Sequence, residues 1–96
     1  MENISLMLNE QGHGGFYIKD GDKQVAEMSV SLAGNVLTVH HTEVFPEAEG
    51  KGLGKRLFAG MTDYARKNGL TVVALCPFVY AQFKKNRQEY ADIWRR

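Results

Sequence analysis

The first half of the chain alternates apolar and polar residues with a period of two, a pattern that predicts β-strands. Three such runs are clear and a fourth is weak, at residues 16–19, 25–32, 36–44 and, weakly, 3–9. Asp20-Gly21 and Gly34-Asn35 separate the clear runs, and both pairs tolerate the positive φ that tight turns require. This half of the chain is therefore expected to form antiparallel hairpins.

Beyond residue 50 the apolar residues recur at intervals of three or four, which predicts an amphipathic helix that ends at Asn68-Gly69. The apolar stripe of this helix consists of Leu53, Leu57, Phe58, Met61, Tyr64 and Ala65. A helix of this kind packs its stripe against a neighbouring layer and leaves its polar face in water.

A continuously apolar run at 71–75 follows the helix and predicts a short strand buried on both faces. Cys76-Pro77 then begins a second helix, expected to end near residue 86, because proline suits the first helical turn. A last short helical segment is expected at 90–94.

The predicted order of elements is antiparallel hairpins followed by strand, helix, strand and helix. A helix between two strands usually makes them parallel neighbours in one sheet. The predicted fold class is therefore α+β or α/β, with a mixed sheet of N-terminal antiparallel hairpins and a β-α-β-α unit. With 96 residues, the chain is expected to form a single domain, 1–96, with little room for a deep pocket.

Composition narrows the class of protein. The apolar share of 44% is ordinary for a soluble protein, and the net charge of +1 gives no reason to expect nucleic acid or an anionic membrane as a partner. A single cysteine excludes an internal disulfide and a cysteine-based zinc site, and no metal is expected. The sequence begins without a basic and apolar leader and has no apolar run of about 20 residues, so a cytoplasmic location is expected.

The most informative segment, residues 49–55, reads Glu-Gly-Lys-Gly-Leu-Gly-Lys and precedes the central helix. Glycines leave backbone N–H groups accessible, and a helix start adds unpaired donors and a positive dipole end, so a phosphate or diphosphate is expected there. Lys51 and Lys55 add charge. Gly50 and Gly54 are separated by three residues, which does not fit a Walker-type loop, and the third glycine of a dinucleotide fingerprint is missing. A flexible turn before a surface helix is the alternative interpretation.

This loop resembles the coenzyme A loop of the GNAT superfamily of N-acetyltransferases, Q/R-x-x-G-x-G/A, with Glu49 in place of the usual Gln or Arg. Three further motifs are similar to those of a compact GNAT-like family of about this length: His41-Thr42, Cys76-Pro77-Phe78 and Glu89-Tyr90-Ala91-Asp92. Together the motifs span residues 41–92, and their combination is more specific than any one of them.

The resemblance implies acetyl-CoA-dependent transfer of an acetyl group to an amine, with the arm of the cofactor entering a gap between the two parallel strands. The candidate cofactor-binding residues are Val44, Glu49, Gly50, Lys51, Gly52, Leu53, Gly54, Lys55 and, on the second helix, Phe83 and Lys84. Alternatively, Lys55 is a solvated lysine and Phe83 is a core residue. The acceptor, which could be a protein lysine, a peptide terminus or a polyamine, is left open.

Two residues are candidates for the chemistry. Cys76 ends a predicted strand at a helix start, where the dipole favours a thiolate. The resemblance places it at the reactive end of the cofactor, as a nucleophile or a proton carrier, and a buried core cysteine is the alternative. Strand alternation puts His41 on the face of Leu37 and Val39, with Glu43 next on that face, where it could accept a proton from an ammonium group. A hydrogen-bonded structural histidine is the alternative.

The leading functional hypothesis is an N-acetyltransferase that works by direct transfer, with a covalent acetyl-Cys76 route as its variant. A coenzyme A or acyl-CoA-binding module with little catalysis is the main alternative. An RNA-binding or protein-interaction domain is a third, against which the near-neutral charge counts. The expected partners are acetyl-CoA and an amine acceptor, without nucleic acid or membrane, and the expected state is a monomer or weak homodimer.

Overall fold

The computed structural model describes residues 3–96, and this part of the chain contains five strands and two α-helices. In chain order the elements are β1 (Asn3–Leu8), β2 (His13–Asp20), β3 (Lys23–Ala33), β4 (Val36–Val44), a 3-10 turn (Pro46–Ala48), α1 (Leu53–Lys67), β5 (Thr71–Ala74) and α2 (Pro77–Lys85). The weakly predicted first strand is present, and β4 has the predicted bounds.

The five strands form one sheet in the order β1-β2-β3-β4-β5. Strands β1 to β4 are antiparallel neighbours joined by short turns, in two of which Gly21 and Gly34 have φ values of 65° and 59°. Helix α1 connects β4 to β5, and these strands are parallel because a crossover helix lets the chain re-enter the sheet in the same direction. The predicted mixed sheet is therefore confirmed.

Both helices lie on one face of the sheet and share a single apolar core with it. In α1, Leu57, Met61 and Ala65 of the predicted stripe are fully buried. Helix α2 packs against α1 through the rings of Phe58 and Phe83, whose centroids lie 5.3 Å apart in edge-to-face contact. Within residues 3–96 no helix covers the other face of the sheet, and no helix has the length and apolar character needed to span a membrane.

A β-bulge in β4 interrupts the regular pairing with β3. Val39 pairs with Val30, but the next pair along the ladder joins His41 to Ser29, so His40 is an extra residue without a partner in the register. Because side chains alternate along a strand, one extra residue exchanges the two faces for every residue that follows.

The bulge places the side chains at the end of β4 differently from the sequence prediction. Thr42 lies opposite the buried Met28 and is half-buried itself, whereas His41 is exposed on the other face. The expectation that His41 shares a face with Leu37 and Val39 is therefore wrong, because the period-two pattern was extended across an irregularity that the sequence did not indicate.

Strand β5 is less buried than predicted. Among its four residues only Val72 is fully buried, and the other three are half-buried. The prediction of burial on both faces is wrong because the helices of the described chain cover only one face of the sheet.

The end of the chain pairs with β5 instead of forming the last predicted helix. Residues 86–93 run in hydrogen-bonded turns, and Trp94 makes a parallel bridge with Val72. The Val72 N–H donates to the Ile93 carbonyl at 2.7 Å, and the Arg95 N–H donates to the Val72 carbonyl at 2.9 Å. Without these bonds a buried residue would keep unpaired backbone groups, so this pairing outweighs the local helical preference.

Arg66 of α1 fastens this C-terminal segment to the helix. Its guanidinium donates to the two carboxylate oxygens of Asp92 at 3.0 and 3.2 Å and to the Glu89 carbonyl at 2.6 Å. It also lies 5.2 Å from the centre of the Tyr90 ring. The hydrogen bond lowers the pKa of Asp92 and raises that of Arg66, because it favours both charged forms. The motif at 89–92 therefore holds the end of the chain in place.

Candidate active site

The glycine loop between β4 and α1 leaves a set of backbone donors open. Gly50 and Gly52 have φ values of 83° and 73°, which favour glycine. A Cβ at either would meet no described atom within 4 Å beyond its chain neighbours. Gly52 caps α1 without a side-chain hydrogen bond, and the first helical bond runs from the Arg56 N–H to the Gly52 carbonyl at 3.1 Å. None of the described residues accepts a hydrogen bond from the N–H groups of residues 50–55. Free donors at a helix start fit a phosphate group.

The side chains around the loop favour an anion. Lys51 and Lys55 are both exposed beside the open N–H groups. Glu47, which precedes the loop, forms an ion pair with Lys23, and the hydrogen bond from Lys23 lowers the pKa of Glu47. That pairing offsets the negative charge of Glu47. Glu49 is exposed, so its carboxylate is free to turn away from a ligand into water.

Four other residues predicted at the cofactor lie in the core, at the contact between the helices or on α2. The Leu53 side chain is buried in the core, so only its backbone N–H belongs to the loop. A Cβ at Gly54 would lie 3.3 Å from the Phe78 ring, so this glycine serves the close approach of the two helices. Phe83 is fully buried and cannot contact a ligand at the surface, which corrects the prediction for that residue. Lys84 is exposed in the last turn of α2.

Strands β4 and β5 separate beside the loop, and one edge of β4 then has no partner strand among the described residues. Their pairing ends at Val39 and Ala74, where the N–H groups of Leu75 and Cys76 both donate to the Val39 carbonyl, at 3.0 and 3.1 Å. Beyond that point β4 continues to Val44 with β3 as its neighbour. We call the space beside this part of β4 the strand gap.

The hydrogen-bond alternation of β4 determines which backbone groups face the strand gap. The Phe45 N–H donates to the Val25 carbonyl at 2.9 Å, so Phe45 turns its polar groups toward β3. Alternation along the strand then turns the N–H and carbonyl groups of Val44 and Thr42 toward the gap. An extended ligand with amide groups can pair with this edge as a further strand would.

Cys76 lies where the strand gap begins, as the N-terminal cap residue of α2. It is 3% exposed, and its thiol donates to the Thr42 hydroxyl oxygen at 3.3 Å. The sequence analysis did not single out Thr42, because uninterrupted alternation along β4 puts it on the face opposite to that of Leu37 and Val39. The only signal in the sequence was its place in the His41-Thr42 motif.

His41 borders the strand gap from the opposite face of the sheet. Its side chain is 64% exposed, and Nε2 lies 4.0 Å from a carboxylate oxygen of Glu43. Since neighbouring residues on a strand point to opposite faces, His41 and the Thr42–Cys76 pair flank the gap from its two sides. The candidate base, His41, therefore faces solvent, and the candidate acid, Cys76, lies in the core. Within residues 3–96 no group of three His, Cys, Asp or Glu side chains could hold a metal ion.

Comparison with known proteins gives consistent matches. The sequence model of the GCN5-related N-acetyltransferases matches residues 15–93, whereas no curated protein matches the chain. Among solved structures, a GCN5-like candidate N-acetyltransferase from Staphylococcus aureus is 30% identical, with a TM-score of 0.69 over 99% of this chain and 91% of that one.

Two ribosomal-protein alanine N-acetyltransferases share the fold. The Escherichia coli enzyme is 20% identical with a TM-score of 0.61, over 67% of this chain and 42% of that one. The Brucella melitensis enzyme is 19% identical with a TM-score of 0.63, over 91% of this chain and 64% of that one. Both are matched over less of their own length than the staphylococcal protein, so this chain spans only part of the length of those two enzymes.

Proposed function

Because the chain belongs to the GCN5-related N-acetyltransferase family, we propose that it transfers the acetyl group of acetyl-CoA to an amine. The family resemblance noted in the sequence is thereby confirmed. The observation that most strongly supports acetyl-CoA as the donor is the set of open N–H groups at residues 50–55 beside an unpaired strand edge. Acetyl-CoA carries the two matching groups, a diphosphate and an arm with amides.

The residues present fit this cofactor along the glycine loop and β4. The N–H groups of residues 50–55 would bind the diphosphate, and Lys51 and Lys55 would add attraction at the surface. The backbone groups of Thr42 and Val44 would pair with the amides of the arm, as in the addition of a strand to a sheet edge. The N–H contacts to the diphosphate and the contacts to the strand edge use backbone atoms. They do not depend on the side chain at position 49, where this chain has Glu in place of the usual Gln or Arg.

The two faces of the strand gap suit the two proton transfers of the reaction. Bound acetyl-CoA supplies a thioester carbonyl that an amine nitrogen can attack, forming a C–N bond and breaking the C–S bond. His41 would accept the proton that the amine loses on the exposed side. The Cys76 thiol would donate a proton to the departing sulfur on the buried side. One proton leaves the amine and one reaches the sulfur, so the step is balanced.

Cys76 fits the role of proton donor better than that of nucleophile. Its S–H group donates to Thr42, as a protonated thiol does. A nucleophilic cysteine must instead react as a thiolate, whereas a proton donor must carry this proton. Direct transfer between bound substrates is therefore the mechanism that we propose, ahead of an acetyl-cysteine route.

The acceptor would approach from the face that carries His41. In the described chain the helices occupy the opposite face and leave this one open. An open face suits an extended amine, such as a peptide terminus, a protein lysine or a polyamine. The alternative function is a coenzyme A-binding module without catalysis. Such a module would use the same glycine loop, but His41 and Cys76 would have no role in it.

Two measurements on the whole chain test the proposal. Backbone amide NMR signals are followed while acetyl-CoA, coenzyme A or a short RNA is added, and acetyl transfer is then assayed with an alanine-terminated peptide, a lysine peptide and spermidine. We expect shifts at Gly50, Gly52 and Gly54 with both coenzymes, no shifts with RNA, and turnover of at least one amine. Binding without turnover would favour the module, and absence of shifts at the loop would refute the cofactor assignment.

A further inference from the structure

The hydroxyl of Thr42 accepts a hydrogen bond from the thiol of Cys76, the one cysteine of the chain, and the bulge in β4 brings the hydroxyl there. With regular alternation from Val39 onward, Thr42 would face the open side of the sheet. The extra residue His40 turns it inward instead, opposite the buried Met28 and within 3.3 Å of the Cys76 sulfur.

We propose that Thr42 is a positioning residue that orients the Cys76 thiol toward the strand gap and supports it after it has given up its proton. This inference rests on the proposed function. The pair lies at the point where β4 and β5 separate, and the backbone of Thr42 faces the same gap. One residue thus connects the open strand edge to the sulfur.

A hydroxyl can serve both states of the sulfur. While Cys76 carries its proton, the S–H group donates to the Thr42 oxygen, as the structure shows. Once the proton has passed to the departing sulfur, the Thr42 O–H can rotate and donate to the thiolate, which then regains a proton from water. Cys76 otherwise belongs to an apolar cluster, so this hydrogen bond is important for a charged sulfur there.

The test compares variants that differ in the hydroxyl alone. Thr42→Val keeps the shape of the side chain and removes the hydroxyl, and Thr42→Ser keeps the hydroxyl. Thr38→Val, a half-buried position on the same strand before the bulge, is the matched control. Because the chain has one cysteine, the 13Cβ and 1Hβ NMR signals of Cys76, each followed as the pH is raised, report on the ionisation of this thiol alone.

We expect the midpoint of both pH profiles to move up by about one pH unit in Thr42→Val, because the thiolate loses a hydrogen bond. Thr42→Ser and Thr38→Val should retain the wild-type midpoint. In the transfer assay Thr42→Val should lower kcat about tenfold and leave the KM for acetyl-CoA unchanged. A wild-type midpoint in Thr42→Val, or a midpoint in Thr42→Ser that moves as far as in Thr42→Val, would overturn the inference.

The failure of the proposed function gives a different result. If no amine is acetylated but the midpoint moves with the hydroxyl, the link between Thr42 and Cys76 holds and the enzymatic role fails. If amines are acetylated and the midpoint does not move, the reaction stands and Thr42 has no positioning role.

Discussion

Replacing Gly52 with alanine separates the role of the glycine loop in binding from its role in folding. Gly52 has a φ of 73°, where a side chain costs roughly 1–2 kcal/mol, so the free energy of unfolding should fall by that amount. The new methyl group would also protrude into open space, because no atom of residues 3–96, apart from Gly52 and its two chain neighbours, lies within 4 Å of its position. In the proposed function, the diphosphate would approach through this space.

The expected effect on binding follows from one lost amide contact. A hydrogen bond to a charged group is worth about 1.5–3 kcal/mol, so the Kd for acetyl-CoA should rise roughly ten- to a hundredfold. The measurement is isothermal titration calorimetry, with urea unfolding of the same samples. The NMR signal of the Gly54 N–H should also lose most of its acetyl-CoA shift.

Gly34→Ala provides the matched control. Gly34 has a φ of 59° and equally open surroundings, but it lies at the other end of β4, roughly 25 Å away at about 3.3 Å per residue. It should lose similar stability and keep the wild-type Kd. A wild-type Kd in both variants would refute the assignment of the loop, and an equal rise of the Kd in both would show that lost stability, not a lost contact, weakens binding.

Three further predictions concern His41, the Arg66 contacts and Phe83. His41→Gln should lower kcat about a hundredfold without changing the Kd for acetyl-CoA, and should remove the acid limb of the pH–rate profile; an intact limb would exclude it as the base. Arg66→Ala should lower Tm by a few degrees relative to Arg87→Ala, because it loses its contacts to the C-terminal segment. In the folded protein the pKa of Asp92 lies below its ordinary value of 3.8. The part of the Tm difference that comes from the Arg66–Asp92 ion pair is therefore present above pH 3.8 and is lost as the pH falls through the folded pKa. A Tm difference that grows in acid would contradict this. Phe83→Ala should cost about 3–5 kcal/mol in urea unfolding, as a fully buried ring requires, and a loss under 1 kcal/mol would restore a surface role.

Much of the fold could be predicted from the sequence because its signals are local. Asp20-Gly21 and Gly34-Asn35 mark turns through their own φ preferences, and the apolar stripe of α1 is a property of one helix. The glycine loop was recognisable for the same reason, since Gly50 and Gly52 do have the positive φ values that only glycine adopts readily.

The remaining features depend on partners that are distant in sequence. The bulge at His40 arises in the register between two strands, and no glycine or proline marks it. As a result the sequence could nominate Cys76 and His41 but could not show that they flank the strand gap from opposite faces, or that Thr42 contacts the sulfur.

The end of the chain shows the same limit. Residues 90–94 have a local helical pattern, but Trp94 pairs with Val72 and Arg66 binds Asp92. These contacts join segments more than 20 residues apart, since Val72 precedes Trp94 by 22 positions and Arg66 precedes Asp92 by 26. A local pattern contains no information about them.

A crystal structure of the chain with acetyl-CoA bound tests the central claim most directly. We predict that diphosphate oxygens lie within about 3 Å of backbone nitrogens in residues 50–55 and that the arm runs along Thr42 and Val44 in the strand gap. A diphosphate bound elsewhere, or an arm on the outer face away from β4, would contradict the account.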